Sequence, residues 1–204
     1  MDIIDNWNAV SIGTYQELCG VDYDNELSKS VQIISILTDT DSDTIRKIPL
    51  KEFYRLSESA KFISDLPINA DVRRVIEIDG TEYGFINDLD LNVTLGEWMD
   101  IENWKDKSID NMHYILALIY RPVVKRSGDD YTIEEYKAEN FMRRAELFRE
   151  KMTIESVYGA YLFFSLFAIE YIQSSLDYSE AGEKVTTKKS TKKTQTRRVT
   201  KKGK

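Results

Sequence analysis

The chain holds one histidine, His113, and one cysteine, Cys19, and that scarcity limits the chemistry it can do alone. One of each excludes a disulfide framework, a zinc cage built by this chain, and the paired-His helix of metalloproteases. The common nucleophilic triads have nothing to stand on. His113 sits in an apolar helical run and is expected as a core or rim residue rather than a base. Cys19 is expected as a small buried apolar residue.

Carboxylates are the remaining candidates for chemistry. Asp39, Asp41 and Asp43 alternate like the start of a calcium loop, but that loop needs Gly at its sixth position and Glu at its twelfth, where this chain has Thr44 and Leu50. Turn formation and helix capping suit them better. Asp88 and Asp90 share one face of an extended segment, where a solvated strand edge is favoured over a metal or acid–base pair. The nine glycines never take the spacing of a dinucleotide fingerprint or a P-loop. No catalytic, cofactor-binding or metal-ligating set is therefore expected. A carboxylate pair assembled by folding is the one enzymatic reading left.

Two groups of residues point to contacts instead. The first is cationic: Lys184, Lys188, Lys189, Lys192, Lys193, Arg197, Arg198, Lys201, Lys202 and Lys204. These ten stand among Thr and Ser, with no acid from 184 to 204, in a segment too poor in apolar residues to offset its ordering entropy. It reads as a disordered tail that follows a phosphate backbone or an acidic protein without reading bases. The second group is Phe163, Phe164 and Phe167, inside a run from Val157 to Ile169 that is apolar on nearly every helical face. Such a helix must be surrounded, by the protein's own helices or by a partner. Arg143, Arg144 and Arg149 interleave with Glu146 and Glu150 and read as ordinary helix-surface ion pairs.

Charge arithmetic sharpens the first group. The 204 residues carry a formal net charge of −7, yet residues 1–183 hold 18 basic against 35 acidic groups, a net of −17, while 184–204 carry +10. A body of this length fits one domain and can bury a core without staples. The acidic N-terminus lacks a secretory apolar stretch, and the longest apolar run falls short of the roughly 20 residues of a spanning helix. A soluble protein made in a reducing cytoplasm is expected.

The elements that position these residues follow from periodicity. Ser11 can cap a first helix, and a second, about 25–38, puts Leu27, Val31, Ile34 and Leu37 on one stripe. Pro49 opens a longer helix with Leu50, Phe53, Leu56, Ala60 and Ile63 inside. Residues 72–86 then read as a β-hairpin across Asp79-Gly80. Thr94 and Glu97 have capping-box spacing before another helix, as do Thr132 and Glu135 before a helix to about Lys151. Between these lie an apolar helix, about 112–120, and a polar loop or small hairpin turning at Gly128. A last helix spans about 154–176. The starts at 10–18 and 93–101 echo each other, as a duplicated half-domain or a reused cap. The expected fold is α+β and mainly α-helical: one globular domain over 1–180 with a central hairpin at about 72–86, and a tail over 181–204.

Several segments resemble a known group: Ile12-Gly-Thr-Tyr-Gln-Glu-Leu18, Ile48-Pro-Leu-Lys-Glu-Phe-Tyr-Arg-Leu56, Thr94-Leu-Gly-Glu-Trp-Met-Asp-Ile101, Ile115-Leu-Ala-Leu-Ile-Tyr-Arg-Pro122 and Tyr158-Gly-Ala-Tyr-Leu-Phe-Phe164. With Ile33-Ile-Ser-Ile-Leu37, they resemble small structural or assembly proteins of tailed bacteriophages, in head–tail gene blocks of crAss-like and other Bacteroidetes phages. The resemblance implies a non-enzymatic virion component or assembly chaperone, found in the host cytoplasm during assembly and in the virion. Its partners would be other phage structural proteins or further copies of itself, with no cofactor and no membrane; the resemblance does not require the tail, which in that setting would hold genomic DNA or an acidic partner protein. No site motif carries over. The reading from a different class is a nucleic-acid-binding accessory protein that works through its tail.

Overall fold

The computed structural model describes residues 1–65, 71–86, 94–104 and 109–167. It is an α+β fold, mainly helical, with a four-stranded antiparallel sheet. Met1–Phe163 form one compact unit and Phe164–Lys204 a second, of which only 164–167, all helical, lie among the described residues.

Short polar side chains start the first helices. Ser11 accepts a hydrogen bond from the Thr14 N–H ahead of α1 (Ile12–Cys19), Asn25 from Ser28 ahead of α2 (Glu26–Leu37), and Asp41 from Thr44 ahead of α3 (Ser42–Ile45). The acidic run 39–43 is thus a turn and a cap, with Asp39 left-handed at φ 48°. Pro49 stands at the head of α4 (Leu50–Ser59), which tightens into a 3-10 turn over Ala60–Ser64. Val31, Ile34, Ile45 and Leu56 form a buried cluster, with Ile3, Ile48 and Phe53 against it. Two expected core positions are left out of the core altogether. Leu27 and Leu50 sit in the first turns of α2 and α4, where the stripe overshoots the surface it packs on, and both are exposed.

Strands β1 (Val75–Ile78) and β2 (Thr81–Phe85) pair across Asp79-Gly80, both with positive φ, 49° and 77°, as a two-residue turn of this twist demands. Helix α5 (Leu95–Trp104) follows, then α6 (Met112–Ile119), buried along nearly its whole length. The chain passes directly into β3 (Tyr120–Ser127), which pairs with β2 and, across a turn at Gly128, with β4 (Asp130–Ile133). The hairpin expected at 72–86 is therefore half of the sheet.

Here the capping-box reading of Thr132 and Glu135 is corrected: Thr132 pairs with Lys125 in β4, and α7 (Ala138–Lys151) starts later without a side-chain cap. Tertiary fit overrides the local signal. The Tyr131 ring lies so close over Gly84 that a Cβ there would stand 2.4 Å from it, and the Tyr131 hydroxyl donates to the Phe85 carbonyl at 2.7 Å. Only glycine leaves that slot open.

Helix α8 covers 154–167 of the described residues. Just before it, Met152 and Ile154 bond back to the start of α1: Ile12 N–H donates to Met152 O at 3.0 Å and Ile154 N–H to Val10 O at 2.9 Å. This clasp sets α1 beside α7. The echo between 10–18 and 93–101 survives as two hydroxyl caps in different settings. Gly13 packs on the Arg149 backbone, whereas a Cβ on Gly96 would meet only Thr94 Oγ1, at 4.0 Å.

Candidate functional site

With α1, α6 and α7 side by side, Gln16, Glu17, Asp110, His113, Tyr114, Glu146 and Arg149 line a cavity of about 430 Å³. Gln16 organises its floor. Its Nε2 lies 2.8 and 2.7 Å from the carbonyls of Ile109 and Asp110 and 3.0 Å from His113 Nδ1, while its Oε1 accepts from Arg149 Nε at 3.3 Å. Turning the amide over would press its oxygen against two carbonyl oxygens, so the orientation is fixed. His113 Nδ1 consequently faces a donor and must present its lone pair, which puts the ring proton on Nε2.

That tautomer matters for chemistry. In that tautomer the one histidine turns its lone pair toward the Gln16 amide and presents an N–H at Nε2, which donates and does not accept. Burial pushes its pKa below the ordinary value, and Arg149 acts in the same direction against the opposing pull of Glu146. The residue is 6 % exposed, which agrees with the core-or-rim expectation.

Cys19 departs from expectation: it is exposed, at the end of α1 where the helix runs out of the core. Neighbouring groups still desolvate its sulfur enough to raise the thiol pKa, so it is not an activated nucleophile. Among the described residues no three His, Cys, Asp or Glu side chains are grouped to hold a metal, and no helix is long and apolar enough to cross a membrane.

The arginines of α7 also depart from the surface ion pairs expected of them. Arg144 shares the inner face with Phe141, Ala145 and Phe148; its Nε donates to Ala117 O at 3.0 Å and its Nη1 stands 3.9 Å from Glu134. Arg149 turns to Gln16. A second buried pair lies nearby, Arg121 Nη1 with Glu97 Oε1 at 3.0 Å. Glu97 also completes the capping box, its Oε2 accepting from Thr94 N–H at 2.6 Å and its own N–H donating to Thr94 Oγ1 at 3.3 Å. Among the described residues, Arg121 Nε and Arg144 Nη2 have no hydrogen-bond partner. The Tyr136 hydroxyl donates to Asp100, and burial with that carboxylate raises the phenol pKa.

The three phenylalanines divide. Phe163 is 47 % exposed, its ring edge-on to Phe85 at 5.8 Å between centroids, and Leu162 beside it is also exposed. Phe164 is 2 % exposed, which removes it from any free surface, while Phe167 is half-buried. Leu166 is 64 % exposed. The ten basic residues from Lys184 to Lys204, and Asp88 and Asp90, lie outside the described residues. Nothing in the local sequence marked Gln16, whose partners are 93 to 133 positions away, or the pairing of Glu97 with Arg121. No protein-family model matches the chain, and no curated protein or solved structure is significantly similar to it.

Proposed function

We propose that this chain is a non-enzymatic virion or virion-assembly protein of a tailed bacteriophage, acting by protein–protein contact. One observation carries the contact reading. Phe163 is a large aromatic anchored on Phe85 yet left half in solvent, beside exposed Leu162. Aromatic anchors of this kind dominate the energy of protein interfaces. The inward-turned lone pair of His113 supports a role outside acid–base catalysis, and the segment resemblance supplies the phage setting. The ten cations of 184–204 would hold genomic DNA or an acidic partner.

The test uses the full chain and Phe163→Asp, with thermal unfolding as the folding control. The wild type should co-fractionate with purified particles or with assembly intermediates, and the variant should be released from them. Absence of the wild type from both, or full retention of a folded variant, overturns the reading. Neutralising the ten basic residues to Gln separates the accessory-protein alternative. That alternative requires salt-sensitive DNA binding, with a slope approaching about −9 if every cation engages, to vanish together with function. The assembly role requires partner association to survive.

A further inference from the structure

The cavity between α1, α6 and α7 holds opposite charges that share walls without pairing. Glu17, Asp110 and Glu146 line it with Arg149, yet Arg149 makes no ion pair among the described residues and bonds only to the Gln16 amide. Its stem is pinned as well, because a Cβ on Gly13 would touch Arg149 Cγ at 3.3 Å. A free guanidinium on a surface helix swings to the nearest carboxylate, and Glu146 stands three residues away on the same helix. Here Gln16 and Gly13 hold it off. The outer nitrogens of Arg149 and the Nε2–H of His113 are therefore donors awaiting an acceptor, while three carboxylates await a cation. Positions fixed before binding spare the ligand the cost of ordering them. The volume, about 430 Å³, falls within the usual range for small-molecule sites.

We infer that this cavity binds a small zwitterion bearing more positive than negative charge, its carboxylate on Arg149 and His113 Nε2–H and its cationic groups on Glu17, Asp110 and Glu146. With His113 neutral, three carboxylates face one guanidinium, so a basic α-amino acid, or a short peptide with a free amino terminus and a basic C-terminal residue, carries the complementary charges. The site is separate from the Phe163 surface and stands or falls independently of it.

The experiment is calorimetric titration of the full-length protein at neutral pH. The probes are L-arginine, agmatine, which lacks the carboxylate, succinate, which lacks the cation, and Gly-Gly-Arg as free acid and as amide. Saturable L-arginine binding is expected, with agmatine and succinate each weaker by about tenfold or more, since each forfeits a charge-assisted bond. Glu146→Gln, a change at an exposed side chain, should weaken L-arginine by a similar factor. A Gly-Gly-Arg acid that matches L-arginine while its amide does not assigns the site to chain termini; L-arginine binding well above both peptide forms assigns it to the free amino acid, and an amide that binds as well as the acid overturns the inference. The inference is overturned by no saturable binding at about 10 mM, weaker than nearly all specific complexes. Equal binding of L-arginine and agmatine, or a folded Glu146→Gln protein that binds as well as wild type, overturns it too.

Discussion

Removing Glu97 should cost this protein far more than its place in the first turn of α5 suggests. Its carboxylate and the Arg121 guanidinium are both buried, 6 % and 8 % exposed at the side chain, and 3.0 Å apart. Glu97→Ala leaves the Arg121 charge in the interior with its Nε already unpartnered and Arg144 close by. Stranding one member of a buried pair costs about 3–5 kcal/mol. Part of that is the lost capping bond to Thr94, which Thr94→Ala measures separately at about 0.5–2 kcal/mol. Replacing both partners, Glu97→Leu with Arg121→Met, removes both desolvation penalties and should return stability to wild type or above it. Urea unfolding followed by tryptophan fluorescence gives the free energies of the wild type and the three variants, and at about 2–4 °C per kcal/mol Glu97→Ala should melt roughly 6–20 °C lower. If Glu97→Ala costs no more than Thr94→Ala, the ion pair contributes nothing and the reasoning fails.

Two further outcomes are expected. Gly84→Ala should destabilise the fold by about 1–3 kcal/mol, because the new methyl must displace Tyr131 and Ile133; urea unfolding of Gly84→Ala with and without Tyr131→Leu checks whether the ring is the obstacle. His113 should titrate below about 6.5 in the folded protein, its neutral form being the one that fits Gln16. Above that pH both folded and unfolded states hold a neutral ring. As pH falls through about 6.5 the unfolded chain takes up its proton first, so stability drops until the lowered folded pKa is reached and then levels off for this group. Proton NMR of the ring and melting curves for His113→Asn, which keeps an acceptor where Nδ1 stood, check the sign. A folded pKa at or above 6.5 contradicts it.

Local chemistry made much of the fold legible. Asp79-Gly80 announced its hairpin because few other pairs tolerate two positive φ values in a row, and Ser11, Asp41 and the Thr94–Glu97 box capped helices where their spacing placed them. Legibility ended where a distant residue decided the outcome. Thr132 and Glu135 have good capping spacing, but Gly84, nearly fifty positions earlier, leaves a slot that only a strand can fill with Tyr131. Arg144 looks like any surface arginine until Ala117 O is seen to receive it. The candidate cavity was hidden for the same reason. His113 stood out by being alone, whereas its proton position is set by Gln16, a residue with no distinguishing neighbours in sequence.

The short bridge between Ser11 and Thr153 bears on the order in which the molecule is made. Val10 and Ile12 are synthesised some 140 residues ahead of their backbone partners, Ile154 and Met152. Until that stretch leaves the ribosome, the head of α1 has a fully buried address and no occupant for its hydrogen bonds. Closing so long a loop is entropically slow, though its cost grows only with the logarithm of length. The N-terminal helices should therefore wait, partly open, for α7 and the start of α8. A nascent chain halted before residue 152 should be cleaved readily near residues 7–20, and one extended past α8 and clear of the exit tunnel should not.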